Sequence, residues 1–209
     1  MREFSAADLI KAFTYKQYPL KTGIMELNIF GIRNSDTAAN SFDDIVGIIY
    51  KDIYGITHLV TYEATTDPGL YARQNPMNQD GTAIIVPGHH KDCYKKGLHK
   101  GEAAMEQIAP MIYVRDANKN KLLDFLYKTT GWKSFKQNGK TNIHRAGANS
   151  IYVDKWSYGC QVFKKEASFL QFLKIVDDSI KQGQPNVFSY TLFELEAFDA
   201  DTQNDTNYF

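Results

Sequence analysis

The chain has 209 residues, 43% of them hydrophobic and 23% charged, with 24 basic residues against 24 acidic ones. Such values exclude a charge-dominated disordered chain, and the absence of a basic stripe excludes a dedicated nucleic-acid binder, which needs a sustained positive surface for phosphates. No apolar run reaches the ~18 residues of a membrane span, so no membrane insertion is expected.

The elements read as follows in chain order. Residues 5–18 predict a helix, capped by Ser5 or Asp8, with Leu9, Ile10, Phe13 and Gln17 on one side and Pro19 as its stop. Residues 25–32 begin as an alternation and predict a strand, and residues 34–40 are a polar loop. Residues 45–50 and 56–63 are β-branched and aromatic runs split by a turn, hence a hairpin. Asp67-Pro68-Gly69 is a turn and residues 71–81 read as a loop.

Strands are then expected at 82–86, 94–99 and 111–115, with a polar turn at 116–121 leading into a further hairpin strand at 122–127. Residues 141–144 form another strand. The best helix is 166–180, where Phe169, Phe172, Leu173, Val176 and Ile180 recur at helical spacing. Residues 186–198 return to β character. Eight or more short strands with few helices predict a mainly β fold, a β-sandwich or barrel-like core with flanking helices. The 13 Tyr and 13 Phe agree, since aromatics suit a pleated half-buried surface. Residues 1–40 are expected to be a helix and strand belonging to the same domain as residues 41–209.

The chemistry gathers late in the chain. His144 ends one short β run, and Cys160 follows in Trp156-Ser157-Tyr158-Gly159-Cys160. A cysteine attacks carbonyls as its thiolate, a minor form at neutral pH unless an imidazole removes the proton. Gly159 allows a tight turn, so neighbouring N–H groups can face one oxyanion. Taken together, the pair points to nucleophile and base. The chain's other cysteine, Cys93, is expected to stay a free thiol, as is Cys160.

Ile143-His144 followed by Ser157-x-Gly159-Cys160 resembles the signature of the L,D-transpeptidase (YkuD-like) catalytic domain. The likeness is most specific over residues 141–163 and extends over about 80 to 180, a normal domain span. It implies His144 as general base, Cys160 as acyl-accepting nucleophile, Gly159 as the turn glycine, and the Arg145 carbonyl as the group that orients the imidazole. It also implies an L,D-transpeptidase-type β core. Two positions depart from the family: Tyr158 stands where a second histidine is usual, and Gln161-Val162 follows the cysteine. Ser157, Tyr158, Trp156 and His99 are expected to meet substrate.

The resemblance implies a peptidoglycan-acting cysteine enzyme that needs no cofactor and no metal. Its partners would be peptidoglycan stem peptides, attacked to give a thioester that water resolves. The alternatives are resolution by an amine, as in a transpeptidase, or a cell-wall-binding virion component without activity. The N-terminus lacks a signal-peptide apolar core, so the expectation is synthesis in the cytoplasm and action on the wall after lysis, virion delivery or specialised secretion.

Two further clusters carry residue types that ligate metals. His89, His90, Cys93 and His99 match no common zinc spacing and sit among lysines, so the reading is a substrate-facing loop or plain surface. Asp116-x-Asn118-x-Asn120 with Asp124 has part of a calcium loop's pattern but lacks its glycine and distal Glu, so a polar turn is expected.

Overall fold

A computed structural model describes residues 2–199. The first helix, α1 (Ala6–Tyr15), starts at a reciprocal cap: the Ser5 hydroxyl accepts from the Asp8 N–H, and the Asp8 carboxylate accepts from the Ser5 N–H. Both residues named as alternative caps therefore act at once. Leu9, Ala12 and Phe13 form its buried face, whereas Ile10 is exposed.

Eleven strands follow: β1 (Asn28–Arg33), β2 (Asp44–Lys51), β3 (Thr57–Thr65), β4 (Thr82–Ile85), β5 (Gly88–His99), β6 (Glu102–Gln107), β7 (Met111–Asp116), β8 (Phe135–Gln137), β9 (Ile143–Arg145), β10 (Gln161–Phe163) and β11 (Phe188–Glu194). Eight of them close a barrel in the order β1-β11-β5-β6-β9-β10-β3-β2, and β4-β7-β8 form a separate three-stranded sheet. The fold is mainly β, as expected. Two barrel contacts are parallel, β1 with β11 and β9 with β10; the others are antiparallel.

The period-2 alternation of strands sorts their side chains into two cores. Ile29, Val46, Ile48, Tyr190 and Leu192 face the larger core, which the second long helix, α3 (Glu166–Lys181), closes with Phe169, Phe172, Leu173 and Val176. Phe30, Ile32, Ile45, Ile49 and Phe193 point the other way and pack on α1. This is why β1 is buried at every position. β1 is thus a barrel strand, and α1 packs against it.

Two expectations need correction. Residues 71–81 are not all loop, because a short helix, α2 (Leu70–Gln74), begins them. The 122–127 segment is not the arm of a hairpin: Leu123 is buried with Ile84 and Val114 as a cover over the small sheet, and β7 pairs instead with β8. Strand β6, unremarked in the sequence, pairs with the whole end of β5 through a turn at Lys100-Gly101.

Candidate active site

The histidine lies on β9, and the cysteine immediately precedes β10, its parallel neighbour. In the β9–β10 ladder His144 is the partner of Val162 and Ile143 of Gln161, so Cys160 lies diagonally from His144 across the ladder. Cys160 shares a small buried cluster with Ala146 and Val162, two residues on from His144 and from itself, which places all four side chains on one face. Each of the two site residues retains 8% of its surface.

The turn before the cysteine is tightly determined. Gly159 has φ of 115°, and a Cβ there would stand 2.7 Å from the Ala83 carbonyl oxygen. Both the torsion and the space demand glycine. Ser157, fully buried, accepts from the Gly159 N–H at 3.1 Å and donates to the Cys160 carbonyl at 2.8 Å. Its hydroxyl is spent on the turn and does not face solvent. Gln161 braces the other side: its amide accepts from the Tyr190 hydroxyl at 2.7 Å and donates to the Gly159 carbonyl at 3.3 Å.

The histidine strand is held by a separate polar network. Gln107 accepts from the Thr141 N–H at 2.9 Å and from the Tyr113 hydroxyl at 3.0 Å, and the Tyr94 hydroxyl donates to the Thr141 carbonyl at 2.7 Å. Asn142 accepts from the Gln107 N–H at 2.9 Å, and its amide lies 2.8 Å from His99 Nδ1. Such buried, mutually satisfied groups fix a short strand that has little ladder of its own.

His144 Nδ1 lies 2.9 Å from the Arg145 carbonyl oxygen, the contact the resemblance implies. A carbonyl only accepts, so Nδ1 carries the proton and Nε2 keeps a lone pair, the tautomer a base requires. Burial pushes His144 down to about 4, aided by the charges of His99, Lys100 and Arg145 and opposed by the Arg145 carbonyl. Burial likewise pushes the Cys160 thiol up to about 11, while the backbone N–H groups of Asn142 and Tyr158 and the Lys100 ammonium hold it down. The pair therefore rests as thiol and neutral imidazole. In this resting state the thiol's hydrogen bond runs to the Lys140 carbonyl, at 3.9 Å, and not to the imidazole.

A groove of about 350 Å³ opens over the imidazole, lined by His99, Lys100, Glu102, His144, Arg145 and Trp156 among others. Of the expected substrate residues, His99 and Trp156 are here, the latter 42% exposed. Tyr158 faces a different cavity, with its ring edge against Tyr71. The Arg145 side chain bridges Glu102 and Glu166 at 3.1 and 3.2 Å, tying the groove rim to α3. Lys100, at the tip of the β5–β6 hairpin, is the cation closest in effect to both reacting groups, and only its lysine-rich setting hinted at it in the sequence.

The histidine cluster and the Asp116–Asn120 loop both have protein partners. His89 bonds Thr191, His90 bonds the Val86 carbonyl and Cys93 is fully buried, and no metal-binding group of three or more such residues occurs among the described residues. In the Asp116–Asn120 loop the cation is an arginine: Arg73 contacts Asp116 at 2.6 Å, the Leu122 carbonyl at 2.6 Å, Asn118 at 3.2 Å and Asn120 at 3.3 Å. Both cysteines are free. No helix is long and apolar enough to cross a membrane among the described residues.

No protein-family model, curated protein or solved structure matches this chain.

Proposed function

We propose that the protein is a peptidoglycan-acting cysteine enzyme of the L,D-transpeptidase-like class. The observation that supports this reading is the shared face of His144 on β9 and Cys160 at the entrance to the parallel strand β10, with Nδ1 fixed by the Arg145 carbonyl and Nε2 left as acceptor. In the reaction the thiol turns from the Lys140 carbonyl to Nε2 and gives up its proton as the sulfur attacks a stem-peptide carbonyl. The new C–S bond forms while the carbonyl electrons move to oxygen. The Gly159 N–H is engaged by Ser157, so the turn's other N–H groups, those of Tyr158 and Cys160, are the donors to that oxyanion. Collapse expels the amine, which takes the proton from the imidazolium, and water then cleaves the thioester with His144 again as base.

The groove's chemistry fits such a substrate, since Lys100 and Lys155 offer charge to an acidic peptide and Trp156 offers an apolar wall. Incubation with purified muropeptides, read by mass spectrometry, tests the proposal. Hydrolysis should appear with the native protein and vanish in Cys160→Ala. Amine exchange would reassign the second step to transpeptidation, and equal activity of Cys160→Ala would end the proposal.

A further inference from the structure

A second cavity, about 210 Å³, shares no lining residue with the imidazole groove. It opens beside the cysteine turn, between Thr82 and Ala83 of β4, Arg115 of β7, Gly139 and Tyr158. Two backbone segments run from it to the cysteine turn. Gly139 precedes Lys140, whose carbonyl takes the Cys160 thiol, and the Ala83 carbonyl closes on Gly159.

Among the described residues, Arg115 is the one charged residue lining this cavity. Its Nη1 reaches the Gly81 carbonyl at a long 3.3 Å, and its Nε is buried with no hydrogen-bond partner. No carboxylate among the described residues comes within ion-pair distance of it, and Asp80 acts only from further off. The protein's two fully buried arginines are treated otherwise. Arg33 has Asp67 at 2.8 Å and Arg73 has Asp116 at 2.6 Å, each with several further acceptors. Partial burial of a guanidinium with an unused donor is unfavourable unless an acceptor arrives, and a carboxylate matches its fork with two parallel hydrogen bonds.

We propose that this cavity is a carboxylate-binding subsite in which Arg115 grips an acidic peptide whose carbonyl is presented to Cys160. The proposal rests on the reading of the protein as a peptide-cleaving cysteine enzyme and names what that enzyme selects. Tyr158 supplies the cavity wall nearest the turn in sequence, with a hydroxyl free to add a hydrogen bond. An acidic peptide has side-chain and terminal carboxylates, and both present the same chemistry to the guanidinium.

The test is calorimetric titration of a tetrapeptide stem with its carboxylates free, and of versions with the side-chain or the terminal carboxylate amidated, into the native protein, R115Q and R115K. The native protein should bind the free peptide about tenfold more tightly than one of the two amides, which identifies the carboxylate held. R115Q should bind all three alike and weakly, and R115K should recover part of the preference, because lysine keeps the charge without the fork. Equal binding of the three peptides by the native protein, no binding at all, or an undiminished preference in R115Q would overturn the subsite. Should R115Q not fold, R115K and the native protein carry the same comparison. Turnover of the same peptides reads the enzymatic proposal separately: Arg115-dependent binding without cleavage sinks the enzyme and keeps the subsite, and cleavage blind to amidation does the reverse.

Discussion

The His144 imidazole lies stacked on that of His99, with ring centroids 4.9 Å apart and planes inclined by 19°. Two protonated rings cannot share that geometry without repulsion, and His99 is itself pushed down, by burial first and then by Lys100. The stack thus adds to the burial that keeps the proposed base neutral in mildly acidic solution. For a base at about 4 and a thiol at about 11, kcat/KM should be nearly flat from about pH 5 to 10. In His99→Ala the acid limb should move up towards an ordinary histidine, and activity at pH 5 should drop by about threefold to tenfold. A native acid limb near 6.5, or one unmoved by the substitution, would show that the stack does not set the protonation of His144.

Glycine at position 159 is required twice over, by its torsion and by the Ala83 carbonyl. Gly159→Ala should cost about 2–4 kcal/mol in unfolding free energy, from a strained left-handed residue and a close contact. It should also displace the Ser157 bridge and remove activity. Urea unfolding together with a thiol-labelling rate measures both, and a variant as stable and as slow to label as the native protein would refute the argument.

The proposed pair stands out in the sequence because its signals are local: an imidazole closing a β run, a glycine before a cysteine, a serine two residues before that glycine. The parallel β9–β10 ladder that puts the two on one face does not, since it joins strands separated by the whole 146–160 connection. Strand β6 was hidden by its composition. Glu102-Ala103-Ala104-Met105-Glu106-Gln107 has little β preference, and its extended form comes from pairing with β5. The 122–127 run misled in the opposite sense, because Leu123 carries strand-like hydrophobicity yet serves to cover Ile84 and Val114. Gln161 has no local signal that explains it. Only the buried Tyr190 hydroxyl reveals why an amide stands after the cysteine.

His90 offers a test of pH-linked stability. Burial pushes it down to about 4, although its bond to the Val86 carbonyl works the other way. In the unfolded chain it titrates near 6.5, so between about 6.5 and 4 the unfolded state takes a proton that the folded state refuses. Stability is lost as the pH falls through this window, at about 1.4 kcal/mol per pH unit at most from this one group. Asp43 and Asp44 are raised by burial and act with the opposite sign, so total stability hides the effect. Their contribution cancels in the difference between the native protein and His90→Gln, which retains a donor for Val86. That difference should be constant above pH 6.5 and shift in favour of the variant towards pH 4. A difference that stays level across the range would show that His90 takes up its proton in the folded protein.

Arg73 gives the sharpest consequence of the fold for a loop that has part of a calcium site's sequence. Its fully buried guanidinium neutralises Asp116, which is 1% exposed, and collects oxygens from Asn118, Asn120 and Leu122. Removing one partner of a buried ion pair leaves the other uncompensated, so Arg73→Ala should lose about 3–5 kcal/mol. The oxygens left behind are of the hard, carboxylate-and-carbonyl kind that suits calcium. Millimolar calcium should therefore raise the melting temperature of Arg73→Ala and leave that of the native protein unchanged, because in the latter the arginine already fills the space. If the variant melts with the native protein, the pair contributes little. If calcium moves both proteins equally, the cation acts elsewhere and the arginine is not standing in its place.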